Sequence, residues 1–400
     1  MRNSKFLFLF IVVSFFTVIT GCEDPGIIGQ GFTDTNTTVE VDTFQVSGVE
    51  SESYEYYTGS LSYLSAGQFV DPVFGDMKSI GLIRPLLVAE GTDISINASM
   101  KLRLAIDQQY VYGDSTDPAE FDLVELDQAW RGNAWRISDQ PQFRNANPVG
   151  TFTVDRQDSI DVELSSNFLA RYINYVSGNE DRDTYRTNFG GLAIVPKDST
   201  KILPIQSQET SFIIENPEDD TLEFGLRDWA FSLERASQGA VPAETSKWHS
   251  TLENVIKLDL DIPEEELQAI NISRVELVVY EDQMRLRNSM DQLSPTAGRP
   301  PISSARLFLL EPENVPVALE SGNVLSNGVY NEDDGTYRFD ITSFTNSVLI
   351  SGIREELGFY LTLQTHNGII RSSLLYNDEA PQAKQPKIIV TSVQNQESTD

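Results

Sequence analysis

Short runs of alternating apolar and polar residues recur through this chain, and they recur twice in one order. Ile96-Asn97-Ala98-Ser99 leads into Met100-Lys101-Leu102-Arg103-Leu104-Ala105-Ile106, and Ile270-Asn271-Ile272-Ser273 leads, after one inserted residue, into Val275-Glu276-Leu277-Val278-Val279. Each is preceded by a strand-like run, Ile80-Gly81-Leu82-Ile83 in the first copy and Val255-Ile256-Lys257-Leu258 in the second. Phe121-Asp122-Leu123-Val124-Glu125-Leu126 then matches Ala305-Arg306-Leu307-Phe308-Leu309-Leu310, and Ile160-Asp161-Val162-Glu163-Leu164 matches Tyr337-Arg338-Phe339-Asp340-Ile341. An amphipathic segment follows in both, with Phe168, Leu169, Tyr172, Ile173 and Val176 on one helical face in the first copy, Ser165 or Ser166 as N-cap and Gly178 as a stop. Gly190-Gly191-Leu192-Ala193-Ile194 matches Gly358-Phe359-Tyr360-Leu361-Thr362, Ser211-Phe212-Ile213-Ile214 matches Ser373-Leu374-Leu375-Tyr376, and each copy closes on a last strand at 222–226 or 388–393.

Period two puts alternate side chains on opposite faces of a strand. Repetition of so many such runs in one order predicts two copies of one unit. The expected fold is all-β: two tandem jelly-roll-like β-sandwich domains with short helices, at 39–236 and 249–394, joined by a linker at 237–248 and ending in a polar tail at 395–400. Residues 288–301, with Pro295, Gly298, Pro300 and Pro301, read as a loop inserted in the second copy. The alternation at 39–46 opens the first domain as a half-buried strand. The apolar fraction of 40%, raised to the ordinary globular range by 25 glycines in 400 residues, is enough for packed cores.

The chain opens differently. Arg2 and Lys5 precede an apolar run at 6–19 that is too short to span a bilayer, and small Thr20 and Gly21 stand before Cys22, the only cysteine. A lone cysteine cannot pair within its chain, and this position is not a core position. The arrangement resembles the bacterial lipobox. That resemblance implies a signal peptide at 1–21, cleavage between Gly21 and Cys22, and a diacylglycerol on the Cys22 thiol. Two or more acyl chains hold a protein firmly at a membrane. Glu23 and Asp24 follow at once and resemble the surface-export signal of Bacteroidota lipoproteins. Residues 23–38, rich in Gly, Thr, Asp and Asn, read as a flexible tether.

Sixty acidic residues against 29 basic ones give a net charge of −31. Such a surface repels nucleic acid and anionic membranes, so no nucleic-acid partner is expected. Past the leader, His249 and His366 are the only histidines, and neither H-E-x-x-H nor G-x-S-x-G occurs. Hydrolytic triads, thiol catalysis and zinc chemistry are therefore not expected, nor is a cofactor. A glycosidase needs only two carboxylates, and nothing singles out a pair. Glu180-Asp181-Arg182-Asp183 and Asn331-Glu332-Asp333-Asp334-Gly335 offer oxygen ligands but lack EF-hand spacing, and turns favour the same residues, so no metal is expected. Trp130 and Trp135 either present flat faces to sugar rings or pack a corner of a sandwich. Tyr54 and Tyr56, on one strand face, either contribute to a ligand-binding surface or pack as part of a half-buried strand.

With Leu126, Trp130, Trp135 and Pro141 after the third matched run, and Phe339-Asp340-Ile341-Thr342 before the second short helix, the copies resemble the jelly-roll modules called DNRLRE domains, some of which are grouped with carbohydrate-binding modules. The leader, the length and the run Asp71-Pro72-Val73-Phe74-Gly75 resemble the Bacteroidota lipoproteins gathered as domain of unknown function 4270, a likeness that covers nearly the whole chain. The expected protein is a surface-exposed outer-membrane lipoprotein that binds or scaffolds without catalysing, with a glycan or an envelope protein as partner. The alternatives are a glycoside-active enzyme and a purely structural surface spacer.

Overall fold

The computed structural model describes residues 37–395 apart from 146, 218–220, 237–240, 252, 261–266, 268–270, 316, 318, 320–321, 352–356 and 364–366. The strands of the first half are β1 (Thr37–Gln45), β2 (Gly48–Glu52), β3 (Tyr63–Asp71), β4 (Gly75–Pro85), β5 (Ser99–Ala105), β6 (Tyr112–Asp114), β7 (Ala119–Glu125), β8 (Gly150–Val154), β9 (Ser159–Glu163), β10 (Leu192–Pro196), β11 (Lys201–Gln206), β12 (Ser211–Glu215) and β13 (Thr221–Arg235). Those of the second are β14 (Thr245–His249), β15 (Val255–Asp259), β16 (Ile272–Tyr280), β17 (Ala297–Gly298), β18 (Ser304–Leu310), β19 (Val324–Asn331), β20 (Thr336–Asp340), β21 (Gly358–Leu363), β22 (Ser372–Tyr376) and β23 (Lys387–Asn395). Helices α1 (Ser166–Val176), α2 (Gln283–Asp291) and α3 (Thr342–Ser351) interrupt them. None of the described helices is long and apolar enough to cross a membrane.

The fold is all-β, as the alternation requires. In β5, Met100, Leu102 and Leu104 face inward while Lys101 and Arg103 stay half-exposed. Helix α1 forms where its apolar stripe predicts, with Ser165 Oγ accepting from the Phe168 amide, Tyr172 fully buried and Gly178 at φ +76 just past the end. Gly178 supplies the left-handed conformation that stops a helix.

Two cores result. In the first, the β13-β12-β5-β9 run packs over the run built on β11, β3, β4, β10 and β7, around Leu102, Phe121, Phe168, Ile194 and Phe212. Strand β13 belongs to both layers: residues Thr221 to Gly225 pair with β12, a register shift falls between Leu226 and Asp228, and Asp228 to Arg235 pair with β4. In the second, nine strands run in the order β1-β23-β16-β20-β19-β18-β21-β15-β2, around Ile256, Leu277, Leu307, Phe339 and Leu361. Strands β1 and β2 stand at opposite ends of that order, yet only Val46 and Ser47 separate them in the chain. The sheet must therefore roll round on itself. The Val46 amide donates to Pro386 O at 3.1 Å and the Ser47 amide to Asp259 O at 3.0 Å, so consecutive residues stitch its two ends together.

The two halves share one pairing scheme. Strand β10 pairs β4 and β7 as β21 pairs β15 and β18, and β7 pairs β8 as β18 pairs β19. Strand β5 pairs β9 and β12 as β16 pairs β20 and β23. The crossing strand β13, which joins β12 to β4, has its counterpart in β1 and β2, which join β23 to β15.

This changes two expectations. Residues 37–52 complete the second sandwich rather than opening the first, and the counterpart of β12 is β23, not the run at 373–376. That run forms β22, which pairs with β14 in a separate two-stranded sheet. Periodicity could not show this, because alternation fixes which face a side chain takes but not which strand lies beside it. The linker expected at 237–248 is also shorter, since Thr245 opens β14 and Trp248 is fully buried in the second core. The half-buried strand expected at 39–46 forms, but Val39 and Val41 are 63% and 62% exposed and only Val46 is sealed.

Candidate functional site

The run Asp71-Pro72-Val73-Phe74-Gly75 is the turn between β3 and β4, with Gly75 at φ +84. Asp71 caps it: Oδ1 accepts from the Val73 amide at 2.7 Å and the Phe74 amide at 2.9 Å. The same carboxylate takes Arg299 from the second half in a two-point fork, Nη2 to Oδ1 at 2.7 Å and Nε to Oδ2 at 2.8 Å, and Tyr112 Oη donates to Oδ2 at 2.8 Å. Both ionic side chains are buried. Burial alone would raise the Asp71 carboxyl, but the Arg299 contacts and the two amides outweigh it and hold it below the ordinary carboxylate range. Arg299 also donates to Leu286 O at 2.6 Å and lies over the Phe74 ring at 5.2 Å. Val73 and Phe74 pack on Leu374, Val241 and Leu286. The turn is thus a plug from the first sandwich seated in the second.

Other contacts close the same seam. Ala297 and Gly298, in the loop expected at 288–301, pair with Asp114 and Gly113 and so extend the first sheet as β17. Arg235 forks onto Glu253 at 2.9 and 2.8 Å. His249 Nδ1 lies 2.9 Å from Ser372 Oγ, with its ring edge-on to Phe74 at 5.0 Å. That distance suits a base and a nucleophile, but the surroundings do not. Burial, with Arg235 and Lys247 nearby, pushes the imidazole well below its ordinary range, which penalises the imidazolium that a general base must become.

A cavity of about 330 Å3 opens beside this seam, between α2, the 297–303 segment and β19. Leu286, Met290, Pro300 and Ile302 give it apolar walls, and Glu281, Tyr330 and Ser372 give it polar ones. Glu281 accepts from Ser373 Oγ and Tyr330 Oη. Burial nevertheless pushes its carboxyl above the ordinary range against those two donors. An apolar cavity holding a few polar groups, one with a perturbed pKa, has the composition of a small-ligand site.

The aromatic residues singled out in the sequence lie elsewhere. Trp130 and Trp135 are 4% and 6% exposed and meet edge to face at 6.0 Å. Trp130 Nε1 donates to Gly190 O at 2.6 Å, and Trp135 Nε1 to Ser232 Oγ at 3.1 Å. The fully buried Arg84 covers the Trp130 ring at 5.0 Å while bound to Asp228 at 3.0 Å. The indoles only edge an open hollow of about 560 Å3 with Gln128, Arg131 and Gln140. Replacing Trp130 by alanine is expected to cost about 3–5 kcal/mol in a denaturant titration, as for other buried aromatics. A loss under about 1 kcal/mol would mean that the ring is not packed as described. Tyr56 is 5% exposed among Val255, Phe308, Leu310 and Tyr360, while its carbonyl accepts from the Ile137 amide at 2.9 Å. It bridges the two halves. Tyr54 packs partly against the same cluster and donates to Glu52.

Gly21, Cys22, Glu23, Asp24 and His366 lie outside the described residues. Among those described, no group of three or more His, Cys, Asp or Glu is arranged to hold a metal ion. The two acidic runs build turns instead: Asp181 Oδ1 accepts from the Asp183 amide at 3.0 Å, and Asn331 Oδ1 accepts from the Asp333 amide at 3.0 Å. The sequence reading missed Arg299, Glu281 and Tyr330. Arg299 leaves a trace, a basic residue between Gly298 and Pro300 in an inserted loop. Glu281 is one acid among 60 and leaves none.

No family model matches the chain, and no curated protein does. Among solved structures, the chain described as BspA_C_WT covers 82% of this chain and 96% of its own length at 11% identity and a TM-score of 0.17. The C-terminal domain of the Streptococcus pyogenes antigen I/II-family protein AspA covers 84% and 99% at 8% identity and a TM-score of 0.14. The Streptococcus agalactiae AgI/II polypeptide BspA C-terminal domain covers the same shares at 10% identity and a TM-score of 0.14. At these scores the likenesses define no shared topology and carry no argument about function.

Proposed function

We propose that the chain is a lipid-anchored, surface-exposed outer-membrane protein that binds a partner without catalysing a reaction. The observation that carries this reading is the short path from Cys22 to the folded body. Fourteen residues, 23–36, separate Cys22 from Thr37, the first residue of β1. At full extension they reach at most about 50 Å. A body tethered through the edge of its own sheet stays within that distance of the membrane and can present the seam between its sandwiches to a partner. The net charge of −31 favours an exposed, self-repelling surface and partners that are neutral or basic.

Feeding cells an acyl analogue is expected to label the wild type and not Cys22→Ser; equal labelling of both would remove the anchor from the reading. Protease treatment of intact cells is expected to digest the protein, whereas full protection would place it on the inner face. Envelope extract passed over the immobilised protein, together with a glycan array, is expected to yield a specific partner. Failure of both would favour a structural spacer.

A further inference from the structure

Glu281 stands in the wall of the 330 Å3 cavity with its charge unmatched. Its oxygens accept from two neutral hydroxyls, Ser373 Oγ and Tyr330 Oη, and Tyr330 is itself held by Gln283 Nε2 at 2.6 Å. An ionised carboxylate has about four acceptor positions, so two remain for other donors. Among the described residues Glu281 forms no ion pair within 4.0 Å. The guanidinium whose field reaches it, that of Arg299, is already forked onto Asp71. A half-buried carboxylate with no counter-charge beside it is favoured by a bound group that supplies one.

The rest of the cavity says what that should be. Leu286, Met290 and Pro300 form apolar walls suited to a short stem, and three acids, Glu281, Asp291 and Glu332, outnumber two arginines, Arg287 and Arg299, among the charges that line it, Arg299 being already paired with Asp71. A planar guanidinium fork needs both carboxylate oxygens from one side, and here each oxygen already takes a hydroxyl. A single compact donor group fits the remaining positions better. At about 330 Å3 the space lies at the small end of the ligand-pocket range of roughly 300–1,000 Å3, the size of one side chain or a small molecule. The acidic field of the whole chain concentrates cations around it.

We propose that this cavity binds a primary ammonium on a short apolar stem, with Glu281 as its counter-ion. The ammonium comes either from a free amine or from a lysine side chain of a partner protein. The assignment gives a ligand class to the binding role without depending on the lipid anchor, so loss of Cys22 labelling and loss of amine binding are separate results.

The test is calorimetric titration of the purified full-length protein with benzylamine and with benzyl alcohol, its neutral counterpart of similar shape. Benzylamine is expected to bind at least tenfold more tightly than the alcohol. Glu281→Gln should abolish that preference. Met290→Trp, which fills the apolar side and leaves the carboxylate alone, should block both ligands. A second arm compares Nα-acetyl-lysine amide with its Nε-acetylated form. Tighter binding of the lysine derivative than of benzylamine assigns the site to a protein partner, and the reverse assigns it to a free amine. Equal affinity for benzylamine and benzyl alcohol, no binding of any amine, or full amine binding by Glu281→Gln overturns the proposal. Should Glu281→Gln fail to fold, the amine and alcohol comparison with Met290→Trp decides alone.

Discussion

Asp71→Ala is expected to destabilise the protein by about 3–5 kcal/mol, the range for removing one partner of a buried ion pair. The carboxylate serves five donors at once: the Val73 and Phe74 amides, two nitrogens of Arg299 and the Tyr112 hydroxyl. Removing it leaves the Arg299 guanidinium buried with its charge unmatched. Arg299→Met should cost a similar amount by the converse route. The double variant Asp71→Ala with Arg299→Met should lose less than the sum of the single losses, by about 0.5–3 kcal/mol, because the two groups interact directly. Strict additivity in urea titrations would mean that the pair does not couple the halves. Acidity gives an independent reading. The folded-state pKa of Asp71 lies below its unfolded value of about 3.9, so its contribution is present above roughly pH 4 and is lost as pH falls through the folded value. The stability difference between wild type and Asp71→Asn should therefore be flat near neutrality and narrow below about pH 4. A difference that instead narrows as pH rises from 5 to 8 would contradict the assignment.

That pair also shows how far the sequence reached. The run at 71–75 stands out because Pro72 and Gly75 punctuate it, and it is indeed a turn. What seats on it comes from a residue more than two hundred positions away, which no local pattern can announce. The strands fared likewise. Alternation at 100–106 and 275–279 gives β5 and β16 with the right faces, and Ser165 and Gly178 bound α1, because those signals act over one strand or one helical turn. Pairing is long-range. Ser211-Phe212-Ile213-Ile214 and Ser373-Leu374-Leu375-Tyr376 look alike as strings, yet one becomes an interior strand and the other leaves the main sheet for β14. Trp130 and Trp135 are legible as a conspicuous aromatic pair, but their indole N–H groups and the Arg84 contact tie them into the packing. Glu281 was invisible because its character comes from burial, which composition does not record.

The largest effect should come from the strands furthest from where the sequence put them. Deleting residues 37–52 is expected to unfold the second sandwich while the first keeps its core. The segment pairs nine residues of β1 with β23 and five of β2 with β15, and it seals the second core with Val46 and Val49. Each buried valine contributes about 1.5–3 kcal/mol and each ladder hydrogen bond about 0.5–1.5 kcal/mol net. Together these approach or exceed the roughly 5–15 kcal/mol that holds a typical domain folded. The effect should concentrate at the closure. Val46→Asp, which buries a charge where the two sheet edges meet, should do most of the damage, whereas Val41→Asp, at a side chain 62% exposed, should do little. Limited proteolysis read by mass spectrometry separates the outcomes: cleavages in the deletion variant should gather beyond residue 245, and the fragment spanning β3 to β13 should resist. A synthetic peptide of residues 37–52 added in trans should restore protection, since the missing strand needs only its backbone register and its two valines. Cleavage spread evenly over both halves would mean that the sandwiches fold as one cooperative unit, with the Asp71 plug transmitting the loss. Protection unchanged by the deletion would mean that β15 and β23 close on each other directly, and the rolled sheet would then owe nothing to the segment that follows the tether.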